Sequence, residues 1–285
     1  MMNLRTGLGT ARRKVLNHFC SRPVSLGEAG PIVSFSFDDF PRSAYTVGGS
    51  VLQNHGVRGT YYVTPSLRDK TNNLGEQYRL EDVHNLMEQG HELGSHTLTH
   101  LSCWSVPLDR FREDANEGRK AILDQMGVAD SGNFAYPYGA VTLRAKKALG
   151  RVMRSCRGTT PGINGPRVDL NLLRANSLYG EIARLESMRR LIEQNAEKKG
   201  WLIFYTHDVS SRPSRFGCTP ALLEAVVSFA TKKSARIATV HQVLSILDGG
   251  GLESALKVEN PNCAGLRDSG LATNPGDDGH SECRL

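Results

Sequence analysis

The run from Pro31 to Phe40, PIVSFSFDDF, alternates small polar with bulky apolar positions and then breaks into two adjacent carboxylates. A period of two predicts a strand, with Val33, Phe35 and Phe37 on one face and Ser34, Ser36 and Asp38 on the other. The next segment, SAYTVGGSVLQNHG, predicts a helix ending near Gly56, and RGTYYVTP predicts a β-branched and aromatic strand. In RLEDVHNLMEQG, Leu80, Val83, Leu86 and Met87 recur at helical spacing until Gly90 stops the pattern. HELGS predicts a short strand. PLDRFREDANEGRKAILDQMG predicts a long charged helix, with Pro107 at its start and Gly127 at its end. NFAYPYG predicts a strand running into a turn. TLRAKKALG, RVMRSCR, EIARLESMRRLIEQNAEKKG, WLIFYTH, TPALLEAVVSFATKK, ARIATV and HQVLSIL continue the alternation. Strands alternating with helices predict an α/β fold with a parallel sheet, and seven or eight such strands are enough to close a barrel. The bulky face of the first strand is expected to meet helices. Its small polar face is expected to look into the barrel, with Asp38 at the C-terminal rim where barrel enzymes keep their sites.

After Asp248 large apolar residues thin out, and Gly, Asn, Asp and Ser take over. The expected organisation is a basic leader over 1–30, a single α/β domain over 31–248 and a Gly/polar-rich tail over 249–285. The chain has 285 residues, 39% hydrophobic and 22% charged, a globular rather than a disordered composition. No apolar run approaches the roughly 20 residues of a membrane span. The first twenty residues are basic without the apolar core of a secretory signal, so a cytoplasmic location is expected, with peripheral membrane contact as an option for the leader. The six cysteines are scattered without a C-x-x-C pair, which argues against a zinc ribbon or a disulfide framework. A net charge of +6 suits an anionic surface or polymer. No basic stripe with interleaved aromatics accompanies it, so nucleic acid is not an expected partner.

Four short segments carry candidate chemistry. Repulsion and desolvation oppose the adjacent Asp38 and Asp39 unless a cation or a proton transfer uses them. By itself the pair also suits a helix cap or an Asx-turn. In SHTLTH, His96 and His100 are four apart, and one helical turn would set them about 5–6 Å apart on one face, within reach of one divalent ion. Surface or capping histidines share that spacing. A carboxylate from another strand end would complete a two-His, one-carboxylate set with open positions, a catalytic rather than a structural arrangement. His207 ends the apolar strand WLIFYTH, where a satisfied core histidine is the plainer reading. Pro137, Tyr138 and Gly139 form a turn that can present backbone N–H groups to an oxyanion.

SFDDF, HTLTH, YPYG and YTH, in this order and spacing, resemble the polysaccharide deacetylases, the NodB-homology group of carbohydrate esterase family 4, over about Ile32 to Leu247. The resemblance implies a distorted (β/α) barrel of about seven strands. It implies metal-dependent removal of acetyl groups from N-acetylated saccharides, often N-acetylglucosamine units, with a divalent metal, commonly zinc. It assigns Asp39, His96 and His100 to the metal and Asp38 to the base that deprotonates water. The Tyr138 backbone N–H would stabilise the oxyanion, and His207 would protonate the leaving amine. Two family features are absent: an arginine at the position of Ala135, which orients the base, and an Asp-x-x-Asp-Trp motif, near whose place RANSLYG stands. Arg157 and Arg174 are the candidates to replace the arginine. Tyr205 stands where the family often has a leucine lining the acetate pocket. Trp104, after the histidine segment, could stack on a sugar or simply pack, and His91 is expected to be structural. The competing readings are an amidohydrolase or deformylase acting on a non-sugar C–N bond, and a non-catalytic carbohydrate-binding barrel.

Overall fold

A computed structural model describes residue 16 and residues 18–127, 130–233 and 235–249. The expected tail from residue 250, and the leader through residue 15, lie outside the described residues. In chain order the elements are β1 (Pro23–Ser25), β2 (Ile32–Asp39), a wide helical turn (Ala44–Gly49) running into α1 (Ser50–Asn54), β3 (Thr60–Val63), β4 (Thr71–Asn72), β5 (Gly75–Glu76), α2 (Leu80–Glu88), β6 (Glu92–Ser95), α3 (Leu108–Met126), β7 (Asn133–Ala135), α4 (Leu143–Leu149), β8 (Ser155–Arg157), β9 (Arg167–Asp169), β10 (Asn176–Ser177), α5 (Leu185–Glu197), β11 (Trp201–Thr206), α6 (Pro220–Lys232), β12 (Arg236–Ile237) and α7 (Val240–Leu247).

Seven strands pair side by side, all in parallel, in the order β10-β11-β2-β3-β6-β7-β8, and β12 pairs with the first two residues of β2. The two ends of this path meet through the segment after β9. Leu173 N donates to Cys156 O (2.8 Å) and Gly158 N donates to Leu173 O (3.0 Å) beside β8, while Leu178 N donates to Tyr205 O (2.8 Å) beside β11. The barrel is therefore distorted at this seam, where isolated contacts replace a full ladder.

The alternation in β2 sorts as expected. Val33, Phe35 and Phe37 share one core with Leu52 of α1, Leu86 of α2 and Leu223 and Val226 of α6. β11 alternates in the same way: Leu202 and Phe204 join that outer core, whereas Trp201, Ile203 and Tyr205 join Leu173, Ala238 and Val240 in a second core. Fully burying a Leu or Phe side chain contributes roughly 1.5–3 kcal/mol, so these faces hold the helices on the sheet. Ser34 and Ser36 tolerate burial because their hydroxyls donate to Ala238 O (2.7 Å) and Phe204 O (2.9 Å).

Part of the expected leader is built into the body: β1 pairs antiparallel with β9. Behind it, the buried ammonium of Lys146 lies 2.7 Å from Asp169 and donates to Phe19 O at 3.0 Å. Among the described residues no helix is long and apolar enough to cross a membrane.

Candidate metal and active site

At the C-terminal ends of the parallel strands lies a cavity of about 580 Å³. Asp38, Asp39, His96, His100, Tyr138, Tyr205 and His207 all line it, so segments far apart in sequence meet there. The two carboxylates that end β2 have separate partners. Asp38 Oδ1 accepts a hydrogen bond from Arg157 Nη2, an ion pair buried on both sides. Arg157 lies with its guanidinium carbon 5.0 Å from the ring centres of both Tyr62 and Tyr205, and its Nη1 donates to Gly158 O (3.0 Å). Burial opposes the guanidinium charge, but Asp38 outweighs it and raises the Arg157 pKa further.

Asp39 turns the other way. Its Oδ1 lies 3.1 Å from His100 Nε2 and 3.5 Å from His96 Nε2, and one ligand atom from each of the three residues falls within 4.8 Å of the others. Burial alone would raise the Asp39 pKa. The approach of His100, and the neighbouring imidazoles of His96, His100 and His207, outweigh it and hold the carboxyl at about 2.

The triad fits a cation for a reason that can be read from its hydrogen bonds. His96 Nδ1 is 2.7 Å from Ala135 O, a carbonyl that can only accept, so Nδ1 carries the proton. Burial, the first cause, holds His96 at about 4 and therefore neutral. Its Nε2 then presents a lone pair to Asp39 Oδ1, a buried oxygen with no hydrogen-bond partner among the described residues. Lone pair facing lone pair is unfavourable unless a positive charge lies between them. A carbonyl-anchored imidazole is also the usual support of a metal-ligating histidine. Two imidazoles and one carboxylate suit a divalent transition ion with positions left open.

The HTLTH segment is not the helical turn that its spacing predicts. It is a loop in which Thr97 (φ 66°) and His100 (φ 59°) are left-handed. Helix α3 imposes that shape: buried Asp114 accepts from Leu98 N and Thr99 N (both 3.1 Å) and from Thr99 Oγ1 (2.7 Å). The sequence reading did not single out Asp114. The signal was there: it falls on the inward face of α3 with Phe111, Ala115 and Gly118, a place where an aspartate needs donors. Asp39, Phe40 and Tyr138 are also left-handed without being glycine, so backbone strain gathers around the cavity.

His207 follows β11 directly. Its Nδ1 lies 3.2 Å from Phe216 O, and its backbone N donates to the same carbonyl (3.1 Å). The loop that brings Phe216 there is tied by Asp208, which accepts from Ser214 N (2.7 Å) and Ser214 Oγ (2.5 Å). Tyr179, from RANSLYG, stands 6.0 Å from the His207 ring and 5.4 Å from that of Tyr205.

Two expected site residues lie elsewhere. Trp104 is 58% exposed and does not line the cavity, because its indole N–H is donated to Val141 O (3.1 Å). Pro137 is buried inside its turn and does not line it either, whereas Tyr138 sits at the mouth with its ring 4.4 Å from that of His100. Of the two candidate arginines, Arg157 reaches Asp38, while Arg174 turns away to Pro161 O (3.2 Å).

Residues 27–153 match the family model described as polysaccharide deacetylase. The matched stretch includes the Asp39, His96 and His100 cluster and Tyr138, and it ends before Arg157, Tyr205 and His207. The peptidoglycan-N-acetylglucosamine deacetylase PgdA of Listeria monocytogenes is 28% identical over 119 residues, 41% of this chain. The match spans 24% of that relative's own length. Among solved structures, PdaA of Bacillus subtilis, a family 4 carbohydrate esterase, superposes with a TM-score of 0.52 at 12% identity, covering 81% of this chain and 88% of that one. A family 4 acetyl xylan esterase from Clostridium thermocellum superposes with a TM-score of 0.51 at 16% identity, covering 78% and 94%. At these identities the two structures establish the fold, the distorted (β/α) barrel expected from the motifs.

Proposed function

We propose that the chain is a polysaccharide deacetylase, the family whose model residues 27–153 match, and that its cavity hydrolyses the acetamide of N-acetylated sugar units. The observation that carries this reading is the meeting, in one cavity, of an oriented carboxylate, a cation-ready triad and a histidine from a third strand end.

Asp39, His96 and His100 would hold a divalent metal, with zinc the expected ion. When bound there, such an ion activates water and polarises the acyl carbonyl. Asp38 is the base: it takes a proton from the attacking water, and the buried Arg157 fixes the direction in which its carboxylate points. His207 would act as the imidazolium: its Nδ1–H is turned to Phe216 O, and its Nε2–H is the proton given to the departing nitrogen. A new C–O bond forms, the C–N bond breaks, and acetate and an amine leave. The Tyr138 turn offers its backbone N–H to the developing oxyanion.

The test is acetate release from N-acetylglucosamine oligomers by the metal-loaded chain, with small non-sugar amides as the comparison. Asp38→Asn is expected to keep bound metal and lose roughly 100- to 10,000-fold in turnover. Retained turnover in that variant would remove Asp38 as the base. Cleavage of the small amides alone would replace the sugar reading with the amidohydrolase one.

A further inference from the structure

The loop between β11 and α6 carries two arginines that the hydrolytic chemistry does not use. Arg215 lines the catalytic cavity, and Arg212 lines a groove that shares Asn73 and Leu74 with it. Neither guanidinium has a carboxylate within ion-pair distance among the described residues. Arg42, in the same groove, shows the contrast: it lies 3.0 Å from both Glu81 and Asp82 and is neutralised by them. Asp208 lines the groove with Arg212 and keeps its charge while accepting from Ser214 N and Oγ, and Glu76, 3.7 Å from Arg79, lines the groove too, so the arginine left without an acid to answer it is Arg215. Arg215 is also held in place, its guanidinium carbon 4.5 Å from the ring centre of Phe216, the residue whose carbonyl anchors His207.

The acids inside the cavity do not answer this charge. Asp38 is matched by Arg157, and Asp39 faces two imidazoles. The cavity wall is thus left with an exposed cation that no carboxylate matches, resting on the Phe216 ring. A guanidinium in that position favours a planar or tetrahedral oxyanion with two acceptor oxygens.

We propose that the cavity selects acylated saccharides carrying an oxyanion, a carboxylate or a phosphate ester, near the acylated nitrogen. Arg215 reads that group. The inference rests on the deacetylase reading for the nature of the sugar, and it can be tested without turnover.

The test is binding of three probes to the full-length chain, with and without zinc, measured by calorimetry. The probes are N-acetylglucosamine, its 1-phosphate and N-acetylmuramic acid, both charged groups being carried on a carbon next to the one bearing the acylated nitrogen, so that phosphate and carboxylate are separate arms. At least one charged probe is expected to bind roughly tenfold tighter than the neutral sugar, the scale of one charge-assisted contact. That preference should shrink as salt is raised. Arg215→Gln should bring the ratio near one, and Arg215→Lys should restore part of it. Equal affinity for all three probes overturns the proposal, as does an undiminished preference in a folded Arg215→Gln chain. Charged-sugar selectivity without acetate release would instead sink the deacetylase reading and leave this one standing. Acetate release without selectivity would do the reverse.

Discussion

Arg157 brings to Asp38 the guanidinium that the family resemblance would put elsewhere. The expected place for a base-orienting guanidinium was Ala135, on β7. In the sheet register Ala135 pairs directly with Arg157 on β8, so the charge sits one strand over and still reaches Asp38. Removing it would strand a buried carboxylate. Arg157→Ala is therefore expected to cost about 3–5 kcal/mol of stability and to lower turnover, whereas Arg157→Lys keeps the charge but loses the planar fit between Tyr62 and Tyr205. Denaturant unfolding beside steady-state kinetics checks this, and an Arg157→Ala chain as stable as its parent would contradict it. Asp38, Asp39, His96, His100 and His207 could be singled out because their motifs stand in the order of a known family, and the structure brings all five to one cavity; taken singly, each also suited a plainer reading. Arg157 could only be offered beside Arg174. Nothing local separates the two, since the deciding fact is a cross-strand register between segments 22 residues apart.

The loop that carries the candidate metal ligands belongs to two elements at once. β6 delivers His96, but α3 shapes the loop that leads on to His100. Asp114 satisfies the loop's N–H groups, and a side chain at Gly118 would meet the loop backbone itself, 2.6 Å from Thr97 C and 2.7 Å from Leu98 N. Helix propensity alone would favour alanine at that position by about 1 kcal/mol. Gly118→Ala is instead expected to displace His100 and weaken metal binding by roughly 10- to 100-fold, the usual range for disturbing the support of a ligand. Competition with a chelating dye measures it, and an unchanged metal affinity in the folded variant would show that the loop holds its shape without α3. The helix itself was legible from its pattern, with Pro107 before it and Gly127 after it. The loop was not: left-handed Thr97 and His100 run against local preference, and only the packing of α3 makes them acceptable.

At the scale of the molecule, the barrel was legible because each long strand alternates or runs apolar between helices. The pieces that were missed, β1, β4, β5, β9 and β10, are two or three residues long, too short for any period to show. The barrel also buries ionisable groups, and these set how its stability depends on pH. Burial first, with Arg58 adding, holds His91 at about 3, and burial holds His96 at about 4, both below the ordinary 6.5. The unfolded chain therefore takes up protons as pH falls through 6.5, while the folded chain does not until about 4 and then 3. Stability is fully present above 6.5 and declines as pH drops through that window, at about 1.4 kcal/mol per pH unit for each group. Asp39, held at about 2, adds stability present above its ordinary 3.8 and lost only as pH falls toward 2, so it leaves the higher window untouched. The metal-free chain is expected to lose on the order of 5 kcal/mol between pH 7 and 4.5 from the two histidines. His91→Asn keeps a small acceptor for Gly59 N, which bonds to His91 Nδ1 at 3.0 Å, and removes one titration. It should flatten the slope by about half, read as unfolding free energy against pH. A slope that stays unaltered in the His91→Asn chain would place the acid sensitivity elsewhere in the barrel.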